Sequence, residues 1–289
     1  MKPATAAGGR TLPNRVIMSA VALLLGAAIW LASPTARAET IKIGGTGCAL
    51  GTIQLLGKAF AAANPGMSIV VVPSLSSGGG IKAALAGSID IAVSARPAKP
   101  EEKAAGINMA VYARTPFIVA TAKTSPASTL NLRELADIYS GRRQNWQDGS
   151  PIRLIMRPAG DSDIMALQEM SPEVSAAVAD ALAKKDMVGI AVAMNDQEAA
   201  DLLEKTPGAV GSSTLALITS EKRLLKALAI NGVAPSAKTL ADGSYPYQRA
   251  LYFATTTKLS PAAARFIAFV RSPAGAAILQ ENGQAPTQD

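Results

Sequence analysis

"TIKIGGTGCALGTIQLLGKAFAAANPGMSIVVVPSLSSGGGIKAALAGSIDIAVSAR", residues 40–96, decides the fold class. "TIKIGG" reads as a strand. After it, Ile53, Leu56 and Phe60 recur at helical spacing until Asn64-Pro65-Gly66 stops the run. "MSIVVVPSL" is β-branched and apolar, a buried strand. "SSGGGIKAALAG" is a Ser/Gly turn that opens a short helix, and "SIDIAVSAR" is a strand again. Strands separated by helices imply a mostly parallel sheet whose ligand groups gather at the C-terminal ends of the strands. The turn "GGTGCALGT", Gly44–Thr52, lies between a strand and a helix, where several backbone N–H groups point at one spot and can hold an anion.

Toward the N-terminus, Lys2, Arg10 and Arg15 precede the apolar run Val16–Ala32, and "TARA" ends on small residues at Ala36 and Ala38. This pattern predicts a secretory signal peptide over residues 1–38, cut before Glu39, and a periplasmic product. The alternative is an uncleaved anchor. Cleavage removes Lys2, Arg10, Arg15 and Arg37 and lowers the net charge from +7 to +3 over the remaining 251 residues. Nucleic-acid binding, which needs a clustered basic face, gains no support. One cysteine, Cys48, excludes an intrachain disulfide, and its position favours a small packed side chain over a reactive thiol. Histidine is absent altogether. Ser-His-Asp and Cys-His systems and imidazole metal sites are therefore excluded, which argues against an enzyme and against a bound cofactor.

Toward the C-terminus, "PAKPEEKAAGIN" reads as a linker, followed by paired strand-like runs "MAVYA" and "PFIVATA". Helices are expected at Asn131–Tyr139 and Pro172–Lys184 and after Asn195-Asp196. Strands are expected at "PIRLIM", "VGIAVA", Ser213–Ile218 and "RALYFATT", with a helical pair at the end. The reading is two α/β lobes, residues 39–116 with 250–289 and residues 117–249, the chain crossing near 114–121 and returning near 246–256.

Three stretches resemble periplasmic phosphate-binding proteins, the solute receptors of phosphate ABC transporters. "SSGGGIKAALAGSIDIAVSAR" resembles their "GSGGGIKAL…G…DIA.SSR" signature. "LNLRELADIYSGRRQNWQDGSPIRLIMR" is similar to their "DIFSGKI.NW" region, and "AINGVAPSAKTLADGSYPYQRALYF" to their "INGV.PS…G.YP..R.L" segment. The resemblance implies a two-lobed type II periplasmic binding protein fold, with mixed sheets flanked by helices and a ligand cleft between the lobes. It also implies a small inorganic oxyanion as ligand and an ABC transporter membrane permease as partner. Carried over by residue, it places Thr46, Cys48 and Ala49 at the opening turn and Ser77, with Ser76 as the alternate, before the triple glycine. Asp90 would accept a proton from the oxyanion, and Arg157 would supply the positive charge.

The chain departs from the family just after Arg157. Where the family has a Ser-Gly-Thr donor triplet, this sequence reads Gly160-Asp161-Ser162-Asp163. Two like charges about 4 Å apart cost roughly 4 kcal/mol at an effective dielectric of ~20, more than the ~1.5–3 kcal/mol of one charge-assisted hydrogen bond. Asp161 and Asp163 either cap the following helix, leaving Ser162 as a donor, or pair with Arg157, Arg142 or Arg143, or meet a ligand that brings its own hydrogens. Three readings stay open: a phosphate receptor, a related binding or accessory module with another ligand, and an enzyme using Asp90, Asp161 and Asp163 as a metal or acid/base cluster.

Overall fold

The computed structural model describes residues 39–184 and 189–287, with residues 1, 3 and 4. Apart from those three, the expected leader lies outside the described residues. From Glu39 the chain alternates strand and helix: β1 (Glu39–Gly45), α1 (Gly47–Ala63), β2 (Met67–Val71), α2 (Ser76–Leu85) and β3 (Ile91–Ser94). β1 pairs in parallel with both β2 and β3. The expected linker contains a short helix, α3 (Pro100–Ala104), with proline at its first position and Glu102 accepting from the Lys99 amide.

The two runs expected to pair as separate strands are one 15-residue strand, β4 (Asn108–Ala122). Its sequence, broken by Arg114-Thr115-Pro116, hides the continuity. Proline is tolerated because β4 changes partner there. Residues 108–116 pair with β11 (Gln248–Thr255), while Phe117–Thr121 pair with β8 (Ala209–Thr214).

Between these strands run β5 (Thr129–Leu130), α4 (Leu132–Tyr139), β6 (Arg153–Met156), α5 (Ser162–Gln168), α6 (Pro172–Ala183), β7 (Ile190–Val192) and α7 (Asp196–Lys205). After β8 come α8 (Leu215–Ser220), β9 (Leu225–Ala227), β10 (Ala229–Ile230) and α9 (Ala237–Ala241). α10 (Pro261–Arg271), α11 (Pro273–Glu281) and β12 (Ala285–Pro286) follow β11. The strand expected at Ser213–Ile218 ends at Thr214. There the Thr214 hydroxyl accepts from the Leu217 amide and starts α8 instead.

Among the described residues ten strands share one sheet, whose main path is β2-β1-β3-β11-β4-β8-β6-β7. The result is the α/β fold expected, a mixed sheet flanked by helices. One apolar core draws only on residues between Phe117 and Tyr245, including Leu135, Trp146, Val174 and Val178. A second unites α1 with α10 and reaches Ala199, Leu203 and Leu217 of α7 and α8.

Glycine permits the closest approaches. A Cβ on Gly80 of α2 would lie 2.6 Å from the Gly45 Cα of β1, inside any allowed contact with backbone. Alanine ordinarily stabilises a helix interior over glycine by about 1 kcal/mol. Gly80→Ala is expected to reverse that sign and cost about 1–3 kcal/mol by overpacking. Urea denaturation measures it, and an unchanged or raised midpoint would show that α2 can retreat from β1.

Candidate functional site

The parallel strands β1 and β3 run opposite to β6 and β7. The C-terminal ends of the two sets face each other across the stretch of β4 around Pro116 where it changes partner, and the antiparallel β11 begins there too. Thr46, Ala95, Arg157 and Asp196 follow the first four, and Arg249 is the second residue of β11. Five separate segments thus converge, and four of them deliver polar side chains.

α1 begins at Gly47, earlier than its apolar spacing implies, so Cys48 and Ala49 lie in its first turn. Thr46, at the cap position, makes no side-chain cap of its own. The cap comes from α7: the Asp196 Oδ2 accepts from the Cys48 amide at 3.2 Å and from the Thr46 hydroxyl at 3.5 Å. Gln197 Nε2 donates to the Gly47 carbonyl at 3.0 Å. Glycine at position 47 permits this approach, because a Cβ there would stand 2.8 Å from Asp196 Oδ2 and 2.3 Å from Gln197 Oε1 and push both side chains away. The Cys48 thiol is buried, 3.3 Å from the Thr46 hydroxyl, and its pKa is pushed far up, first by burial and then by the Asp196 charge. It is a packed, inert side chain.

Arg157 is 2% exposed. Its Nη1 donates to the Ala193 carbonyl and its Nη2 to Asp161 Oδ2, both at 2.9 Å. Asp161 also caps α5, accepting from the Asp163 amide at 2.9 Å. One carboxylate therefore performs both the capping and the arginine pairing that the sequence offered as alternatives. Arg142 and Arg143 pair elsewhere, with Asp137 and Glu134. Asp163 points inward, where Ser212 Oγ donates to it at 3.0 Å and Arg249 Nη2 lies 3.7 Å away. Arg249 Nη1 donates to the Ser162 carbonyl at 2.6 Å, and its guanidinium sits 5.8 Å from the centre of the Phe117 ring. Arg157 Nε and Arg249 Nε and Nη2 are buried without a hydrogen-bond partner.

Burial pushes the Asp163 carboxyl up to about 6, with the Asp196 charge adding and the Arg249 charge opposing. Asp196 is raised too, by burial first, against the pull of Arg157. Glu102 moves the other way, held down to about 2 chiefly by its hydrogen bonds from Arg96.

In front of this cluster lies a cavity of about 410 Å³ between the start of α2 and the start of α5. Ser76, Ser77, Gly78, Arg96 and Lys99 line one wall and Gly160, Asp161 and Ser162 the other. α2 has no side-chain cap, so its first amides face the cavity region unsupplied. Ser77 Oγ accepts from the Ala95 amide at 3.0 Å and keeps its own hydrogen to donate. Ser76 is held at φ 58°, a left-handed conformation that serine seldom adopts. Arg96 is anchored by Glu102 through two hydrogen bonds of 2.8 and 2.7 Å.

The structure places Thr46, Cys48 and Ala49 and, facing them, Arg157, Asp161, Ser162 and Asp163 at the opposed strand ends, with Ser76, Ser77, Asp161 and Ser162 at the cavity walls. Asp90 is not among them. It is exposed before β3 begins, accepting from the Lys42 amide at 2.7 Å beside the middle of β1. Five residues at about 3.3 Å each separate it from Ala95, roughly 16 Å along the strand. The expected role as proton acceptor for the ligand is corrected on that ground. Asp90, Asp161 and Asp163 therefore do not form one carboxylate cluster, and among the described residues no group of three or more Asp, Glu, Cys or His could hold a metal ion. Arg249, Asp196 and Ser212 escaped the sequence reading. Two signals were present: the arginine of the "G.YP..R.L" segment is Arg249, and Asn195-Asp196 reads as a helix opener, which does not say where the helix points.

A family model described as a PBP superfamily domain matches residues 32–274. No curated protein matches the chain. Among solved structures, a candidate phosphate ABC transporter substrate-binding protein from Clostridium perfringens, solved with bound phosphate, shares 22% identity and a TM-score of 0.72. That match covers 86% of this chain and 100% of the other. A phosphate-binding protein from Stenotrophomonas maltophilia is 14% identical with a TM-score of 0.64, over 86% and 91% of the two chains. An ABC-type phosphate transport receptor from Vibrio cholerae is 19% identical with a TM-score of 0.59, over 85% and 99%. At these identities the likeness is one of fold.

The raised Asp163 pKa sets the pH dependence of stability. An acid whose folded pKa exceeds its unfolded value of about 3.9 binds more protons folded than unfolded, so stability falls as pH rises from about 4 to 6. Glu102 acts below that window, contributing stability that is lost as pH falls from about 4.5 toward 2. With no histidine to titrate between pH 5 and 7, the melting temperature is expected to rise when pH is lowered from 7 to 5. Asp163→Asn should largely remove that rise while raising stability at pH 7. Calorimetry across the range checks both, and a flat wild-type profile would contradict the assignment.

Proposed function

This chain belongs to the PBP superfamily, and from that premise we propose that it is a periplasmic solute-binding receptor, not an enzyme. Its ligand is a small oxyanion of the phosphate type, handed to an ABC transporter permease. One observation carries the reading: the 410 Å³ cavity has the uncapped start of α2, the Ser77 hydroxyl, Arg96 and Lys99 on one side and Ser162 on the other. Backbone donors, hydroxyls and guanidinium are the groups that bind an anion at close quarters. The named ligand of the Clostridium perfringens structure agrees in chemistry with these walls.

In this proposal residues 39–116 with 250–289 form one lobe and residues 117–249 the other. They hinge where β4 changes partner at Pro116 and where β11 begins at Gln248. Closure brings Ser162 and Asp161 toward the α2 wall. With Asp90 absent from the cavity, Asp161 is the carboxylate on its wall. It would accept a hydrogen bond from a protonated oxyanion such as hydrogenphosphate and repel a fully deprotonated one such as sulfate.

A second reading has its own observation. Asp196 already serves the α1 start and Asp161 already serves Arg157. A binding module for a ligand that carries its own hydroxyls or amines would suit those acids better.

Thermal unfolding of the purified protein against phosphate, sulfate, other oxyanions, amino acids and sugars separates the two. Phosphate at about 100 times its dissociation constant should add ~2.7 kcal/mol, roughly 5–10 °C for a chain of this size. Ser162→Asp suits the first turn of α5, because helix starts favour acids, yet sets a charge on the cavity wall. It should leave the unliganded melting temperature within a few degrees and abolish the phosphate shift. A shift from an amino acid or sugar alone would favour the second reading.

A further inference from the structure

The start of α1 is the strongest anion position that the sequence offers, and in the fold a protein carboxylate stands on it. Asp196 Oδ2 takes the Cys48 amide and the Thr46 hydroxyl. Gly47 lacks the side chain that would prevent its approach. Behind Asp196 lie two guanidiniums whose side chains are only 2% and 7% exposed. Three of their N–H-bearing nitrogens, Arg157 Nε and Arg249 Nε and Nη2, have no hydrogen-bond partner. Three acids, Asp161, Asp163 and Asp196, already share this small space, so no fourth acid can be expected to supply the missing acceptors. A tetrahedral oxyanion brings four acceptor oxygens and would compete with Asp196 for the same amide.

We propose that Asp196 determines specificity at this site as an internal anion: its carboxylate holds the start of α1 in place of a ligand oxygen, and an oxyanion binds by displacing it. The inference rests on the oxyanion reading above and deepens it. Displacement is mechanically simple, because Asp196 is the first residue of α7 and its side chain is half-buried, not locked in a core. The helix keeps its own cap, Asn195, which accepts from the Glu198 amide at 2.9 Å whether or not Asp196 moves. The charges that bear on Asp196 come from every neighbouring element. They are Arg157 after β6, Asp161 and Asp163 of α5 and Arg249 of β11, with the Cys48 thiol of α1 also close. Gln197 beside it is held by Glu221 at 2.8 Å. Arg157 and Arg249 favour the charged form while Asp161 and Asp163 oppose it, and an incoming anion adds to that repulsion.

The test is calorimetric titration with inorganic phosphate at pH 7 of the wild-type protein and Asp196→Asn, beside an NMR titration of the wild type that follows the Cys48 amide. Removing the competing charge should tighten phosphate binding at least about ten-fold in Asp196→Asn, as expected for close charge pairs. In the wild type, phosphate should shift the Cys48 amide resonance saturably. Equal or weaker binding by Asp196→Asn, or phosphate binding that leaves the Cys48 amide unmoved, would overturn the inference while leaving the receptor reading intact. If the variant does not fold, the NMR titration alone decides. Absence of phosphate binding to both proteins would refute the phosphate reading, and the inference with it.

Discussion

Buried charge governs this molecule. Arg157, Arg249 and Asp163 are withdrawn from water, and Asp161 and Asp196 are half withdrawn. An ion removed from water costs several kcal/mol unless neighbours replace the lost hydration. The replacement here is mutual: Asp161 holds Arg157, Arg249 stands against Asp163, and Asp196 takes backbone and hydroxyl donors from the start of α1. The supply is uneven. Carboxylate oxygens have found donors, while three guanidinium nitrogens have not found acceptors.

The sheet makes that cluster possible. Within each half the parallel strands point their C-terminal ends the same way, and β4, long enough to serve two sets of partners, sets the ends of β6, β7 and β8 facing those of β1 and β3. Glycines at 45, 47 and 80 then remove the side chains that would hold α1, α2 and α7 apart. The same close packing that stabilises the fold sets the spacing of the charges.

A shared fold does not carry a ligand with it. Solved phosphate-binding structures from Clostridium perfringens and Stenotrophomonas maltophilia have this architecture, yet the donor triplet expected of that family is replaced here by Asp161-Ser162-Asp163. The change does not empty the site of anion-binding capacity. It ties Arg157 to Asp161 and leaves the uncapped start of α2, with the Ser77 hydroxyl, as the freer anion surface.

The sequence by itself determined the alternation of strand and helix, since apolar periodicity is a local property, and it marked the turns at Thr46, Ser77 and Arg157 where side chains reach the sheet edge. It identified Asp161 as a cap because Gly-Asp-Ser-Asp before an apolar run is a local signal too. Asp90 takes its expected role from the family resemblance alone, although it lies just before β3, at the end opposite the one where ligand groups gather. The roles of Asp196, Ser212 and Arg249 were not legible, although the "G.YP..R.L" segment contains Arg249, because each meets its partners across 49 to 150 positions of chain. Only tertiary structure decides which carboxylate stands before a given amide, because that depends on the packing of α7 against α1 and on a glycine that lets them touch.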